Sequence, residues 1–305
     1  MPHEFDLIKW IRSSAASELP PNALGIGDDC AVWPVGDRLL LLATDMLVED
    51  VHFTLSELQK RQIGRKAVAV NLSDIAAMAG VPQTIMVSLA LPLHIPLPWA
   101  EELMAGVIEA AQEFDTHIIG GDTTVHQGPL VINVAITGEA TAKGPVLRSG
   151  AQPGDAIFVT GPLGGSLSDH HWSFTPRVRE ALQLHQIVDL HAMIDLSDGL
   201  SSDLRHVLNA SAVGCELLSE KIPVSDASRQ RNTGRTPLDH ALGDGEDFEL
   251  LFTVSREDAG KLRRQTPIPL FEIGTIVKDP QTIVLKEADG RIRDLPDTGW
   301  KHALG

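Results

Sequence analysis

Aspartates beside glycine, serine or threonine recur between residues 25 and 199 of this 305-residue chain. They stand in Gly25-Ile26-Gly27-Asp28-Asp29, Ala43-Thr44-Asp45, Asn71-Leu72-Ser73-Asp74, Gly120-Gly121-Asp122-Thr123-Thr124 and Ile194-Asp195-Leu196-Ser197-Asp198-Gly199. Several of these segments follow an apolar run, which puts the acid at a strand end or on a tight loop. Aspartate is a short, hard oxygen ligand. Mg²⁺ prefers such ligands, usually one or two carboxylates together with substrate phosphates. The pattern predicts an enzyme that handles a polyphosphate through several magnesium ions.

Each segment alone has a plainer reading. Residues 25–29 also suit an ordinary turn, and Asp45 also suits a helix cap or a strand-end turn. Asp74 lies inside a strongly apolar helical pattern with no cation beside it. A buried, unpaired carboxylate is costly, so it needs a metal, a hydrogen-bond network or exposure. Residues 120–124 offer backbone N–H groups to a phosphate. They lack the Gly-Lys-Ser/Thr of a Walker A loop, and the chain has no protein-kinase signature set. Asp195 and Asp198 suit one ion, with Ser197 between them; Asp198 equally suits the cap of a helix after Gly199. Gly245-Glu246-Asp247-Phe248-Glu249 adds acids in a further glycine-bearing turn, or is a surface loop. The 12 histidines show no zinc-ligand spacing, and only His52, shortly after Asp45, stands out. Arg148 lies near the inferred domain junction, where a planar guanidinium grips phosphate well.

The elements that must carry these residues alternate. Helical patterns cover residues 3–15, 63–78 and 99–114. Strand-like runs cover residues 39–44, 85–91, 117–119, 130–138, 156–160, 248–254 and 270–277. Polar and turn residues gather at 140–150, so the chain divides into domains 1–142 and 143–305. Alternating strands and helices in both halves predict an α/β fold with mixed, α+β-type sheets.

The net charge of −16 comes with no basic stripe, which argues against a nucleic-acid partner. No apolar stretch approaches the ~20 residues of a membrane span, and the start has no signal-peptide core. The two cysteines, Cys30 and Cys215, form no metal-ligand pair. A cytoplasmic location fits these observations.

Taken together, the aspartate blocks resemble the thiamine-monophosphate kinase family. The blocks run in family order over nearly the whole chain. They include Ala43-Thr44-Asp45-Met46-Leu47-Val48-Glu49-Asp50-Val51-His52-Phe53, Val70-Asn71-Leu72-Ser73-Asp74-Ile75-Ala76-Ala77-Met78, Arg148-Ser149-Gly150-Ala151-Gln152-Pro153-Gly154-Asp155 and Gly245-Glu246-Asp247-Phe248-Glu249-Leu250. The wider superfamily holds aminoimidazole ribonucleotide synthetase, selenophosphate synthetase and a hydrogenase-maturation protein.

The resemblance implies a two-domain aminoimidazole ribonucleotide synthetase-like fold whose N-terminal domain dimerises through its sheet. The C-terminal domain would close the cleft. The implied reaction is direct in-line, Mg-assisted transfer of the γ-phosphoryl group of ATP to thiamine monophosphate. Matching positions imply magnesium ligands at Asp28, Thr44, Asp45, Asp74, Asp122, Asp195 and Asp198. They imply ATP contacts at Gly121, Asp122, Arg148 and Ser197, and substrate contacts at His52, Glu246 and Trp300. The family ends in an aromatic after the histidine, whereas Ala303 follows His302 here. Residues 161–176 carry no implied role, and no single catalytic base is assigned. Two other readings compete. A related ATP-using synthetase is one, although a selenophosphate synthetase would favour a reactive cysteine near the start and residues 1–23 hold none. A non-enzymatic nucleotide-binding protein is the other, although every block keeps its acid.

Overall fold

The computed structural model describes residues 4–15, 18–55, 60–168 and 170–300. It contains two mixed sheets. The first half runs α1 (Glu4–Ser14), β1 (Ala31–Val35), β2 (Arg38–Val48), α2 (Lys60–Ala77), β3 (Gly80–Pro92), α3 (Leu97–Glu113), β4 (His117–His126) and β5 (Val131–Ala140). Its five strands are ordered β1-β2-β5-β3-β4. The second half runs β6 (Ala156–Val159), α4 (His170–Ser173), α5 (Val178–Ile187), β7 (Leu190–Asp195), α6 (Leu200–Ser211) and β8 (Gly214–Leu218). It continues through α7 (Asp226–Gln230), α8 (Pro237–Gly243), β9 (Leu250–Val254), α9 (Arg256–Gln265), β10 (Phe271–Val277), β11 (Ile283–Lys286) and β12 (Ile292–Asp294). Its seven strands are ordered β12-β11-β8-β10-β6-β9-β7. The expected mixed α/β architecture is present.

Helix α2 is the central element. Ile63, Ala67, Val68, Leu72, Ile75 and Ala76 are buried against neighbours on several sides. It lies against α3 at a close crossing that two glycines permit. A Cβ at Gly64 would overlap the Leu103 carbonyl, and one at Gly106 would overlap the Arg61 carbonyl. Arg61 then reaches across to Glu102 at 2.8 Å and to Glu109. The apolar cluster around α2 continues into the second half through Phe158, Val178, Leu184, Phe252 and Val254. Both halves therefore pack on the same helix.

The other face of the first sheet is open in the single chain. Trp33, Leu42, Met46 and Met86 are exposed there, and strand alternation puts all four on the side away from α2.

Three expectations about strand ends need correction. The strand expected over 39–44 continues to Val48, so Thr44 and Asp45 lie inside β2 and not at its end. The strand expected over 117–119 continues to His126, so Gly120, Gly121 and Asp122 pair with β3 and form no phosphate-cradling loop. The run expected from 248 starts at Leu250, because Phe248 adopts φ +50 and cannot continue a strand.

Candidate active site

The cleft between the halves has a volume of about 320 Å³. Asp45, Asp74, Asp195 and Asp198 line it, and Asp29 meets Asp74 and Asp195 there. One carboxylate oxygen from each of Asp29, Asp74 and Asp195 lies within 4.8 Å of the others. Two ligands on one Mg²⁺, each bound at about 2.1 Å, stand no more than about 4.2 Å apart. The three oxygens are grouped closely enough to be candidates for one ion. Asp29 Oδ2 is buried without a hydrogen-bond partner in the protein, as an oxygen aimed at a cation would be. The donor set fits magnesium.

Local sequence explains how these acids arrive. Along β2, Leu41, Ala43, Asp45 and Leu47 face α2, so Asp45 takes an inward position that alternation reserves for an apolar residue. Asn71 of α2 accepts from the Asp45 backbone N–H at 3.1 Å, and its own amide donates to the Ala67 carbonyl. Ser73, two residues on, donates to Asp195 Oδ2 at 2.5 Å and so joins α2 to the end of β7. Asp74 follows directly. It faces the cleft and is no exposed helix residue.

One cation balances the acids. Arg148 Nη2 donates to Asp29 Oδ1 at 2.6 Å, and the Arg148 backbone N–H donates to the Asp28 carboxylate at 3.1 Å. Burial opposes the arginine charge, yet Asp29, Asp28 and Asp195 outweigh it and hold its pKa above the usual range. The carboxyls move the other way. Burial, reinforced by the Asp29 charge, pushes Asp28 and Asp45 up to about 6 and Asp195 up to about 7. Asp74 is raised well above the usual range: burial acts first, then the charges of Asp45, Asp195 and Asp29.

Asp198 stands beside a second group. Its carboxylate, that of Asp203 and the His206 ring have ligand atoms within 4.8 Å of one another. Asp198 does not cap α6. Gly199 occupies the cap position, and Asp203 reaches back to accept from the Asp198 and Gly199 N–H groups at 3.1 and 3.0 Å.

The cleft lining also includes the apolar residues Leu47, Val51, Leu167, Phe248 and Trp300. His52 and Glu246 lie among them. His52 Nδ1 accepts from the Val48 N–H at 3.0 Å, which leaves the proton of the neutral ring on Nε2. The Trp300 N–H donates to the Asp198 carbonyl at 3.0 Å, while its side chain stays 56 % exposed. Residues 301–305, including His302 and Ala303, lie outside the described residues.

Asp247 and Glu249 have structural partners. Asp247 accepts from the Gly164 N–H at 2.9 Å and from the Ser166 hydroxyl. Glu249 takes Arg177 at 2.6 and 2.8 Å and Thr160 at 2.5 Å. These two acids hold the segment around residues 161–177 against the second sheet.

Of the residues singled out in the sequence, the fold brings Asp28, Asp45, Asp74, Asp195, Asp198, Ser197, Arg148, His52, Glu246 and Trp300 to the cleft or its edge. Thr44 sits on the opposite face of β2 and bonds the Val134 carbonyl. Gly121 and Asp122 lie elsewhere. The register runs Met46–Asn133–Ser88–Asp122 across four strands, a span of about 14 Å. Asp122 also points to the open face, away from Asp45. Gly121 has a structural reason to be glycine, since a Cβ would collide with the Val87 carbonyl. Asp29, Asp203, His206 and Lys66 had not been singled out. A lysine inside an apolar helix face was the available signal for the last.

Comparison with known proteins gives a consistent picture. Residues 27–140 match the AIR synthase related protein, N-terminal domain, and residues 152–286 match the AIR synthase related protein, C-terminal domain. The chain is 45% identical over 271 residues to the thiamine-monophosphate kinase of Rhodopirellula baltica, covering 85% of each chain. It superposes on the solved structure of AaThiL complexed with AMPPCP and TMP with TM-score 0.85 and 31% identity, over 99% of this chain and 97% of that one. It also superposes on thiamine monophosphate kinase from Aquifex aeolicus, with TM-score 0.79 and 30% identity, over 95% of this chain and 98% of that one.

The raised carboxyls give a pH signature. Their folded-state pKa values lie above the unfolded value of about 3.9. The folded state thus binds more protons between the two, and stability falls as pH rises through that window. In EDTA, the melting temperature should drop between pH 4 and about 7. Asp195→Asn should shrink that drop. A melting temperature that is flat over the window, or a drop unchanged in the variant, would contradict the clustered arrangement.

Proposed function

We propose a function from one premise: the chain belongs to the thiamine-monophosphate kinase family of AIR synthase related proteins. The protein is an ATP-dependent kinase that phosphorylates thiamine monophosphate to thiamine diphosphate. The observation that carries this reading is the meeting of Asp29, Asp74 and Asp195 at a cleft also lined by Leu47, Val51, Phe248 and Trp300. The acids suit polyphosphate with metal, and the apolar and aromatic lining suits a flat aromatic cation.

The finer roles are proposals. Asp28, Asp29, Asp45, Asp74, Asp195 and Asp198 would hold magnesium, which supplies charge neutralisation between two phosphate-bearing substrates. Arg148 and Ser197 would meet ATP phosphates. The buried Arg148 Nε, which has no partner in the protein, leaves donor capacity for that contact. Trp300 and Phe248 offer π faces to the thiamine rings, and Glu246 offers a negative charge to the thiazolium. His52 would donate from Nε2. Direct in-line transfer needs these groups to align two substrates, and it needs no protein nucleophile. The division into domains 1–142 and 143–305 follows the same logic, with each half lending acids to the cleft. Buried thiols at Cys30 and Cys215 fit a cytoplasmic location, and no described helix is long and apolar enough to cross a membrane.

A homodimer completes this reading. The open face carrying Trp33, Leu42, Met46 and Met86 is a surface for a second copy. Asp122, and with it Gly121 and Thr44, belongs to that face or its edge. We therefore place Asp122 in the site of the partner subunit.

Purified protein with ATP and Mg²⁺ should convert thiamine monophosphate to thiamine diphosphate, and EDTA should stop it. Free thiamine should be a poor acceptor. Asp74→Asn should cut turnover at least about a hundredfold with an unchanged circular dichroism spectrum. Absence of turnover with the monophosphate, or near-normal activity of Asp74→Asn, would refute the assignment.

Mixing tests the dimer. Asp74→Asn and Asp122→Asn should each be inactive alone. Co-refolded together, they should regain activity, because a hybrid holds one intact site if Asp122 acts across the interface. No recovery would place Asp122 in its own subunit's site, and an active Asp122→Asn would place it in none.

A further inference from the structure

Lys66 is the largest fully buried side chain among the described residues, at 0 % exposure. It projects from α2 in the first half. Its Nζ donates to Glu246 Oε2 at 2.6 Å and to the His52 carbonyl at 3.4 Å. It also lies over the Trp172 ring, 4.6 Å from the centroid. An ammonium carries three donors, and two acceptors with one π face account for them. Burial pulls its pKa down, while the Glu246 charge acts against that.

Glu246 is where this matters. It adopts φ +54, between Gly245 at +73 and Phe248 at +50. Left-handed backbone at a non-glycine residue persists only where its surroundings over-determine it. A Cβ on Gly245 would stand 2.7 Å from the Ser197 carbonyl, so the two turns are in close contact. The Glu246 N–H donates to the Ser197 carbonyl at 2.7 Å, and the Phe248 N–H donates to Leu196 at 2.8 Å. Those bonds fix the backbone, whereas Lys66 fixes the carboxylate. The turn before His52 is strained too, with Asp50 at φ +65. One buried cation therefore ties together two strained turns, one from each half. The clustered aspartates are held separately, by Asn71, Ser73 and Arg148.

We infer that Lys66 is a positioning residue for the acceptor substrate: it aims the Glu246 carboxylate and sets the His52 turn, and so governs affinity for thiamine monophosphate and not for ATP. The inference rests on the proposed function. It separates Lys66 from a simple clamp between halves, which would affect both substrates alike.

The test is steady-state kinetics with both substrates varied, for the wild type, Lys66→Met, Lys66→Arg, Glu246→Gln and the double variant Lys66→Met/Glu246→Gln. Lys66→Met should raise the KM for thiamine monophosphate about tenfold or more, as losing a charged hydrogen bond does. The KM for ATP should change less than about threefold. Lys66→Arg keeps the charge and should recover much of the affinity. The double variant should be no worse than Glu246→Gln, since no carboxylate remains to aim. Equal rises in both KM values, or a lower melting temperature with both unchanged, would overturn the inference in favour of a clamp. If Lys66→Met does not fold, the double variant and Lys66→Arg carry the same comparison. A wild type that fails to bind thiamine monophosphate would sink the proposed function and this inference with it. A wild type that binds it without the split in its variants would sink this inference alone.

Discussion

Carboxylates gathered out of water repel one another, and the cleft of this protein is built around that repulsion. Two unit charges 4 Å apart repel by about 4 kcal/mol at an effective dielectric of about 20. Asp29, Asp74 and Asp195 come within 4.8 Å, with Asp28 and Asp45 close behind. Arg148 offsets part of this, and raised carboxyl pKa values relieve more. The arrangement fits the proposed receptor for cations, whose phosphate complexes would then be the substrates.

Helix α2 makes the gathering possible. It takes Asp45 from one side through Asn71 and Asp195 from the other through Ser73, and it adds Asp74 itself. About two turns towards its start, Lys66 joins His52 to Glu246. Phe174 and Phe248 stack against each other at 4.2 Å beside Ala69 and Val70. The second half therefore docks on the same face of α2 that carries the polar bridges. A glycine pair at the α2–α3 crossing fixes how deeply the helix sits.

Much of this was legible in the sequence, for particular reasons. Asp74 broke an apolar helical pattern, and that conflict marked it as a residue needing a metal, a hydrogen-bond network or exposure. The family order of blocks gave the fold. Other features escaped because local pattern does not encode them. Gly120 and Gly121 looked like a turn, yet β4 is an edge strand whose residues are almost all exposed, so no alternation announced it. Asp28 and Asp29 are adjacent, and sequence cannot tell which one points inward. Phe248 looked like the first residue of a strand because its left-handed backbone is imposed by the tertiary contacts of the turn. Lys66 sits a turn from Ile63 and Val70. Its partner Glu246 lies 180 residues away, and no local rule connects them.

The central claim is that the clustered aspartates form a metal-dependent polyphosphate site. Thermal melting with ADP, in Mg²⁺ and in EDTA, tests it most directly. A ligand that binds only the folded state stabilises it by about 2.7 kcal/mol when it exceeds its Kd about a hundredfold. With ADP and Mg²⁺ together, the melting temperature should rise clearly. With ADP and EDTA it should rise little or not at all, because the diphosphate then adds negative charge to an uncompensated cluster. Equal rises in the two conditions would mean that cationic side chains hold the nucleotide, and the aspartate cluster would not be a metal site.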